Sequence, residues 1–161
     1  MKKIFLLLIL VTLNSCITAQ KKSAGYYNYK TECLGVELDG SQTLKAWGNG
    51  RNRADAVEQA KKNAMRDVIF NGIREGKQDC NQKPIIFEVN AQEKYEDYFN
   101  KFFADGGDFK NFISLKDERI FDKISRDRKA VKESVTHGLI VRILRAELKA
   151  KLIADNIIKQ Q

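Results

Sequence analysis

The chain has one proline, one histidine, one tryptophan and three cysteines in 161 residues. These scarcities narrow the chemistry. With His137 as the sole histidine and no Cys-x-x-Cys pair, there is no recognisable metal-ligand spacing and no dithiol redox motif. A hydrolytic triad would have to use His137, yet no serine stands in a nucleophile-elbow context. His137 therefore reads as a structural residue in the middle of a strand. The acidic pairs Glu96-Asp97 and Asp117-Glu118 fall in polar surface patterns, with nothing to set them apart from solvated carboxylates. No catalytic residue, metal or cofactor is assigned, and the expectation is a protein that is not an enzyme. Nor is there an apolar run near the roughly 20 residues of a transmembrane helix.

What is present at the N-terminus points to export. Lys2 and Lys3 precede the apolar run Ile4–Val11, the charged and hydrophobic parts of a secretory signal. Leu13-Asn14-Ser15-Cys16 resembles the lipobox of bacterial lipoproteins, departing from it at Asn14, where a smaller side chain is usual. Cleavage before Cys16 would make it the lipid-attachment residue. Cleavage after Ala19 would give a soluble periplasmic or secreted protein beginning at Gln20. The expected division is a signal segment over 1–19, a tether over 20–30 and one α+β domain over 31–161. The lipoprotein reading places the chain in the bacterial cell envelope, on the outer membrane.

With Cys16 set aside, Cys33 and Cys80 remain, an even number in an oxidising compartment. A disulfide between them would close a loop of about 47 residues. The alternative is two free thiols. The formal charge of the whole chain is +8, and without Lys2 and Lys3 it is +6. That excess is spread along the chain. It serves solubility, or attraction to anionic lipid head groups and other envelope polyanions. Nucleic acid is not an expected partner of an exported protein; the membrane, an envelope protein or a second copy is.

Periodicity orders the domain as β-β-α-α-β-β-α, a small antiparallel sheet packed by helices. Cys33, Leu34, Val36 and Leu38 mark a first strand, and Asp39-Gly40-Ser41 a turn. Thr43–Trp47 returns as a second strand. Asn52 caps a helix with Asp55 three residues on, and the helical pattern runs from Ala54 to about Arg74, with Gly76 as its stop. Its face carries Val57, Ala60, Ala64 and Val68, small enough to let the helix axis approach a sheet. Asn90 opens a second helix, whose stripe of Tyr95, Tyr98, Phe99, Phe102 and Phe103 reads as core; Gly106-Gly107 end it. Ile120–Arg126 reads as a polar edge strand. The strongest strand carries Val135, His137, Leu139, Val141 and Ile143 on one face. A last helix spans Ala146–Ile158.

Gly48-Asn49-Gly50 before the first helix invites a phosphate-loop reading. A dinucleotide fingerprint needs a glycine where Arg53 stands, and a Walker A loop needs Gly-Lys-Ser/Thr before the helix. Gly48 and Gly50 are better read as a structural turn that ends a strand. Some anion affinity at this helix start, from Arg51 and Arg53, stays open. Arg126, Arg128 and Lys129, in a basic turn before the strongest strand, are the other candidate anion contacts.

A strand ending in Gly-x-Gly and a helix with alanines four residues apart resemble the lipoprotein-20 family of bacterial envelope proteins, which the N-terminal domain of flagellar assembly protein T also resembles. The positions that carry the resemblance are Gly48, Gly50, Ala56, Ala60, Ala64, Val68 and Ile73. They cover about 30 residues. The resemblance implies one helix packed across a small antiparallel sheet, export, and an outer-membrane or envelope-assembly setting. It supplies no catalytic residues. The aromatic segment from Asn90 and the helix after Ile143 go beyond that unit, so the chain would be a divergent, elaborated member. The function expected is structural, assembly or interaction; the alternative is a periplasmic binding module for a small ligand or an anionic envelope polymer.

Overall fold

A computed structural model describes residues 30–121 and 135–159. Strand β1 (Glu32–Val36) and strand β2 (Gln42–Gly50) form a hairpin. Its turn is closed by Gly40 in the left-handed region and by Ser41, whose N–H and hydroxyl both donate to Asp39 Oδ1. Leu38 belongs to this turn and is fully exposed, not part of the strand. Helix α1 (Arg53–Arg66) follows, with Asn52 Oδ1 accepting the N–H of Asp55 as expected of a capping residue. After a two-residue strand β3 (Glu75–Gly76) come the short helices α2 (Ala91–Lys94) and α3 (Glu96–Phe102). A 3-10 turn (Asp108–Phe112), strands β4 (Ile113–Phe121) and β5 (Val135–Ile143), and helix α4 (Arg145–Ala154) complete the order.

The class is α+β, with helices packed on a five-stranded sheet of order β3-β1-β2-β5-β4. All pairs are antiparallel except β1 with β3, so the sheet is mixed. In β5, His137, Leu139, Val141 and Ile143 are buried while Ile140 and Arg142 are half-exposed, which is the alternation of a strand packed on one side. Leu44 and Ala46 of β2 are also fully buried, and so are Ala56, Ala60, Ala64 and Met65 of α1.

The first helix ends earlier than its periodicity implies. Beyond Arg66 the chain winds into a π-turn (Asp67–Asn71), and the N–H of Gly72 reaches back to Asp67 O at 2.7 Å. Gly72, at φ 74°, stops the helix; Gly76 does not. The carbonyls of Val68 and Ile69 take outside partners, the N–H groups of Ile85 and Ile86 at 3.0 and 2.9 Å. A returning segment thus satisfies helix-end acceptors that would otherwise be left open. Gly76 lies in β3 instead, where a Cβ would stand 2.1 Å from Cys33 O.

The aromatic segment packs as core, as its spacing implied, although the helix breaks at Tyr95 into two pieces. Asn90 makes no side-chain cap. Phe99, Phe102, Phe103 and Phe109 are buried, with neighbouring ring centroids 5.1–6.3 Å apart. The sheet's edge strand starts at Ile113, ahead of the expected Ile120, and its stretch 122–126 lies outside the described residues. The last helix stops at Ala154 rather than Ile158, because Asn156 turns the chain at φ 58° and lets Ile157 and Ile158 donate to Leu152 O.

Candidate functional site

Cys33 and Cys80 are joined, with their Cα atoms 6.2 Å apart. β1 presents Cys33 toward the core, and Lys77 N–H bonds to Cys33 O at 2.9 Å, which holds the loop before Cys80 against the strand. Further anchors surround the bridge. Gln42, fully buried, donates its amide to Asn81 O at 3.1 Å. Its Oε1 accepts from Arg145 Nη1 at 3.3 Å, while Arg145 Nη2 reaches Lys83 O at 2.7 Å. Burial holds the Arg145 guanidinium below its ordinary range. The disulfide, Gln42 and Arg145 therefore tie the hairpin, the 77–83 loop and the start of α4 into one polar knot.

Gly48 and Gly50 belong to β2 and are not a turn; neither has positive φ. Their role is close approach. A Cβ at Gly48 would be 2.1 Å from Ala56 O, and one at Gly50 would be 2.4 Å from Ala56 N. The helix backbone rests directly on the strand, and Asn63 Nδ2 donates to Trp47 O at 2.8 Å. No phosphate-sized space lies there.

The other sequence candidates do not converge. Arg51 and Arg53 are exposed at the helix start, and Arg51 Nε is 3.3 Å from Asp55 Oδ2, so an anion would compete with a carboxylate already in place. Arg126, Arg128, Lys129 and Cys16 lie outside the described residues. His137 is 5% exposed, opposite Gly48 in the sheet, away from any open surface. Among the described residues no group of three His, Cys, Asp or Glu could hold a metal, and no helix is long and apolar enough to cross a membrane.

Concave surface is found elsewhere. A groove of about 430 Å³ lies between Ile85–Glu88, Lys94 and Tyr95, and the residues after α4, with Lys149 and Lys159 on its wall. Here Ile85 and Ile86, 7% and 4% exposed, turn inward, and their N–H groups hold the segment on the π-turn that follows α1. Phe87 and Val89 then turn outward, 65% and 97% exposed. Glu88 between them bonds Lys94 Nζ at 2.8 Å, and that ammonium lies 5.0 Å from the Tyr95 ring centre. The Glu88 hydrogen bond, first, raises the Lys94 pKa above its ordinary value. On the other side of Val89, a second groove is lined by Arg66, Glu93 and Glu96. In the sequence Ile85-Ile86-Phe87 is no more than a short apolar run. The signal that could have singled it out is the alternation Phe87-Glu88-Val89 after two core residues, an amphipathic step too short for periodicity to count.

No family model, curated protein or solved structure matches the chain.

Proposed function

We propose that the chain is an exported protein of the bacterial envelope, lipid-anchored at Cys16 on the outer membrane, whose α+β domain has a structural, assembly or interaction role and no catalytic one. The observation that carries this is the cysteine pairing. Cys33 and Cys80 are joined, which suits an oxidising compartment. That leaves Cys16 as the odd cysteine, a few residues beyond the apolar run Ile4–Val11 and in a lipobox-like sequence. The lipoprotein-20 resemblance belongs to the same reading. Its positions Ala56, Ala60, Ala64 and Val68 are fully buried, and Gly48 and Gly50 meet the helix.

Feeding cells a tagged fatty acid tests the anchor. Wild type should take up label and sediment with the outer membrane, and Cys16→Ala should do neither. Unlabelled, soluble wild type with Gln20 at its N-terminus would overturn it.

The lysine-walled groove beside Phe87 favours a second reading, a binding module for an anionic envelope component. Exposed large apolar residues among the described ones are Val36, Leu38, Phe87 and Val89. None lies on a helix, so an assembly contact through an apolar helix face has no support, and interaction through this loop ridge has more.

A further inference from the structure

Phe87 and Val89 place two large apolar side chains in water on a segment fixed from behind. The N–H groups of Ile85 and Ile86 bond to Val68 O and Ile69 O, and both of their side chains are buried. The ridge is therefore built, not frayed. Its border has one sign of charge on one side. Lys94, Lys149 and Lys159 share the groove with Phe87, and Glu88, the groove's one carboxylate, is already paired with Lys94. Across Val89 the second groove mixes both signs, Arg66 with Glu93 and Glu96, so the lysine-only wall ends there and marks the limit of the surface.

We infer that this ridge is a membrane contact: Phe87 and Val89 enter the head-group boundary of an anionic bilayer while Lys149 and Lys159 lie against its phosphates. Apolar side chains beside cations are the composition that binds such an interface, the apolar part by burial and the lysines by attraction to anionic lipid. A soluble polyanion would meet the lysines but leave Phe87 and Val89 in water. The setting rests on the envelope reading above. A lipid at Cys16 stands 14 residues before Lys30, so the domain could be at most about 50 Å from its anchor even on a fully extended chain. Tethering of that kind raises the effective concentration of a weak second contact.

The test removes the anchor, so that its failure and that of the Cys16 reading are separable. The chain from residue 16 with Cys16→Ser is sedimented with protein-free vesicles of phosphatidylcholine, with and without phosphatidylglycerol. Retention is expected on the anionic vesicles, weaker at high salt and weak on phosphatidylcholine alone. The double variant Phe87→Ser, Val89→Ser should lose about tenfold or more in partitioning. Lys149→Gln and Lys159→Gln should each lose roughly fivefold. All four side chains are exposed, so the variants should keep the wild-type circular dichroism and thermal transition. Absence of retention on anionic vesicles overturns the inference. So does equal retention of wild type and the Phe87/Val89 variant, and so does binding confined to native envelope membranes, which would give the ridge to a protein partner.

Discussion

A Cβ on Gly48 would stand 2.3 Å from the backbone nitrogen of Ala60. No side chain can move aside there, because the obstacle is main chain on both elements. Gly48→Ala must push α1 off the sheet and loosen a layer in which Ala56 and Ala60 are fully buried. The expected cost is about 3 kcal/mol, the upper part of the overpacking range. Gly35→Ala is the control, since its Cβ would meet only Lys77 Nζ at 4.0 Å; it should change stability by less than about 0.5 kcal/mol. Urea denaturation of the two variants gives both numbers. Equal effects would mean that the close contact does not govern the packing.

Opening the Cys33–Cys80 bridge should cost about 4 kcal/mol, the chain-entropy value for a loop of this length. The sequence separation is 47 residues. The measurement is the denaturant midpoint of Cys33→Ser, Cys80→Ser against wild type, with and without reductant. Reductant should lower the wild-type midpoint to that of the variant and leave the variant unchanged. Amide exchange should quicken first at Lys77, whose N–H is held by Cys33 O.

The disulfide and the strands β1, β2 and β5 were legible in the sequence for physical reasons. Cys33 and Cys80 are the only pair left once Cys16 is set aside, and β5 alternates between buried and half-exposed residues from Leu139 to Ile143. The helix boundary was not legible. Residues through Ile73 keep an apolar rhythm across Gly72, whose left-handed backbone stops the helix, and the partners of the carbonyls left open there are distant: Ile85 and Ile86 donate to Val68 O and Ile69 O. Strand β3 escaped notice because two residues, Glu75 and Gly76, have no period to read. The glycines were recognised as structural, but a strand end and a close helix contact look alike in sequence. The groove was missed for a related reason. Phe87, Lys94, Lys149 and Lys159 come from three separate segments and meet only after α4 folds back.

Arg145 should matter to stability through acceptors it satisfies. Replacing it by Ala takes a donor from Gln42 Oε1 and another from Lys83 O. Gln42 is fully buried, so its carbonyl cannot turn to water without breaking the bond from its amide to Asn81 O. The expected loss is about 1–3 kcal/mol. Gln42→Leu should cost a similar amount by taking the partners of Asn81 O and Arg145 Nη1. The double variant should cost less than the two losses added, because the sites share a partner. Simple additivity in a double-mutant cycle would show that Arg145 acts elsewhere.

Tyr98 joins α3 to the end of α4 by donating its hydroxyl to Asp155 Oδ2 at 2.6 Å, and Lys151 Nζ reaches the same carboxylate at 2.7 Å. Burial first, and the bond to Asp155 second, push the Tyr98 phenol well above its ordinary value. The Lys151 hydrogen bond, and then that of Tyr98, hold Asp155 below the usual carboxylate range. The signs follow from linkage. Asp155 binds protons more readily unfolded than folded, so its contribution is complete above about pH 4 and is lost as pH falls through its depressed folded value. Tyr98 is the reverse: its contribution is complete below about pH 10 and is lost only as pH rises through the raised folded value. Tyr98→Phe and Asp155→Asn should each cost about 0.5–1 kcal/mol between pH 5 and 9. The Asp155→Asn penalty should shrink toward pH 3, as wild type loses the same carboxylate by protonation. Phenolate absorbance gives an independent reading. Of the five tyrosines, the one whose signal Tyr98→Phe removes should ionise after the rest. A penalty for Asp155→Asn that stays constant into acid, or a missing signal in the ordinary tyrosine range, would mean that this contact does not hold α4 in solution.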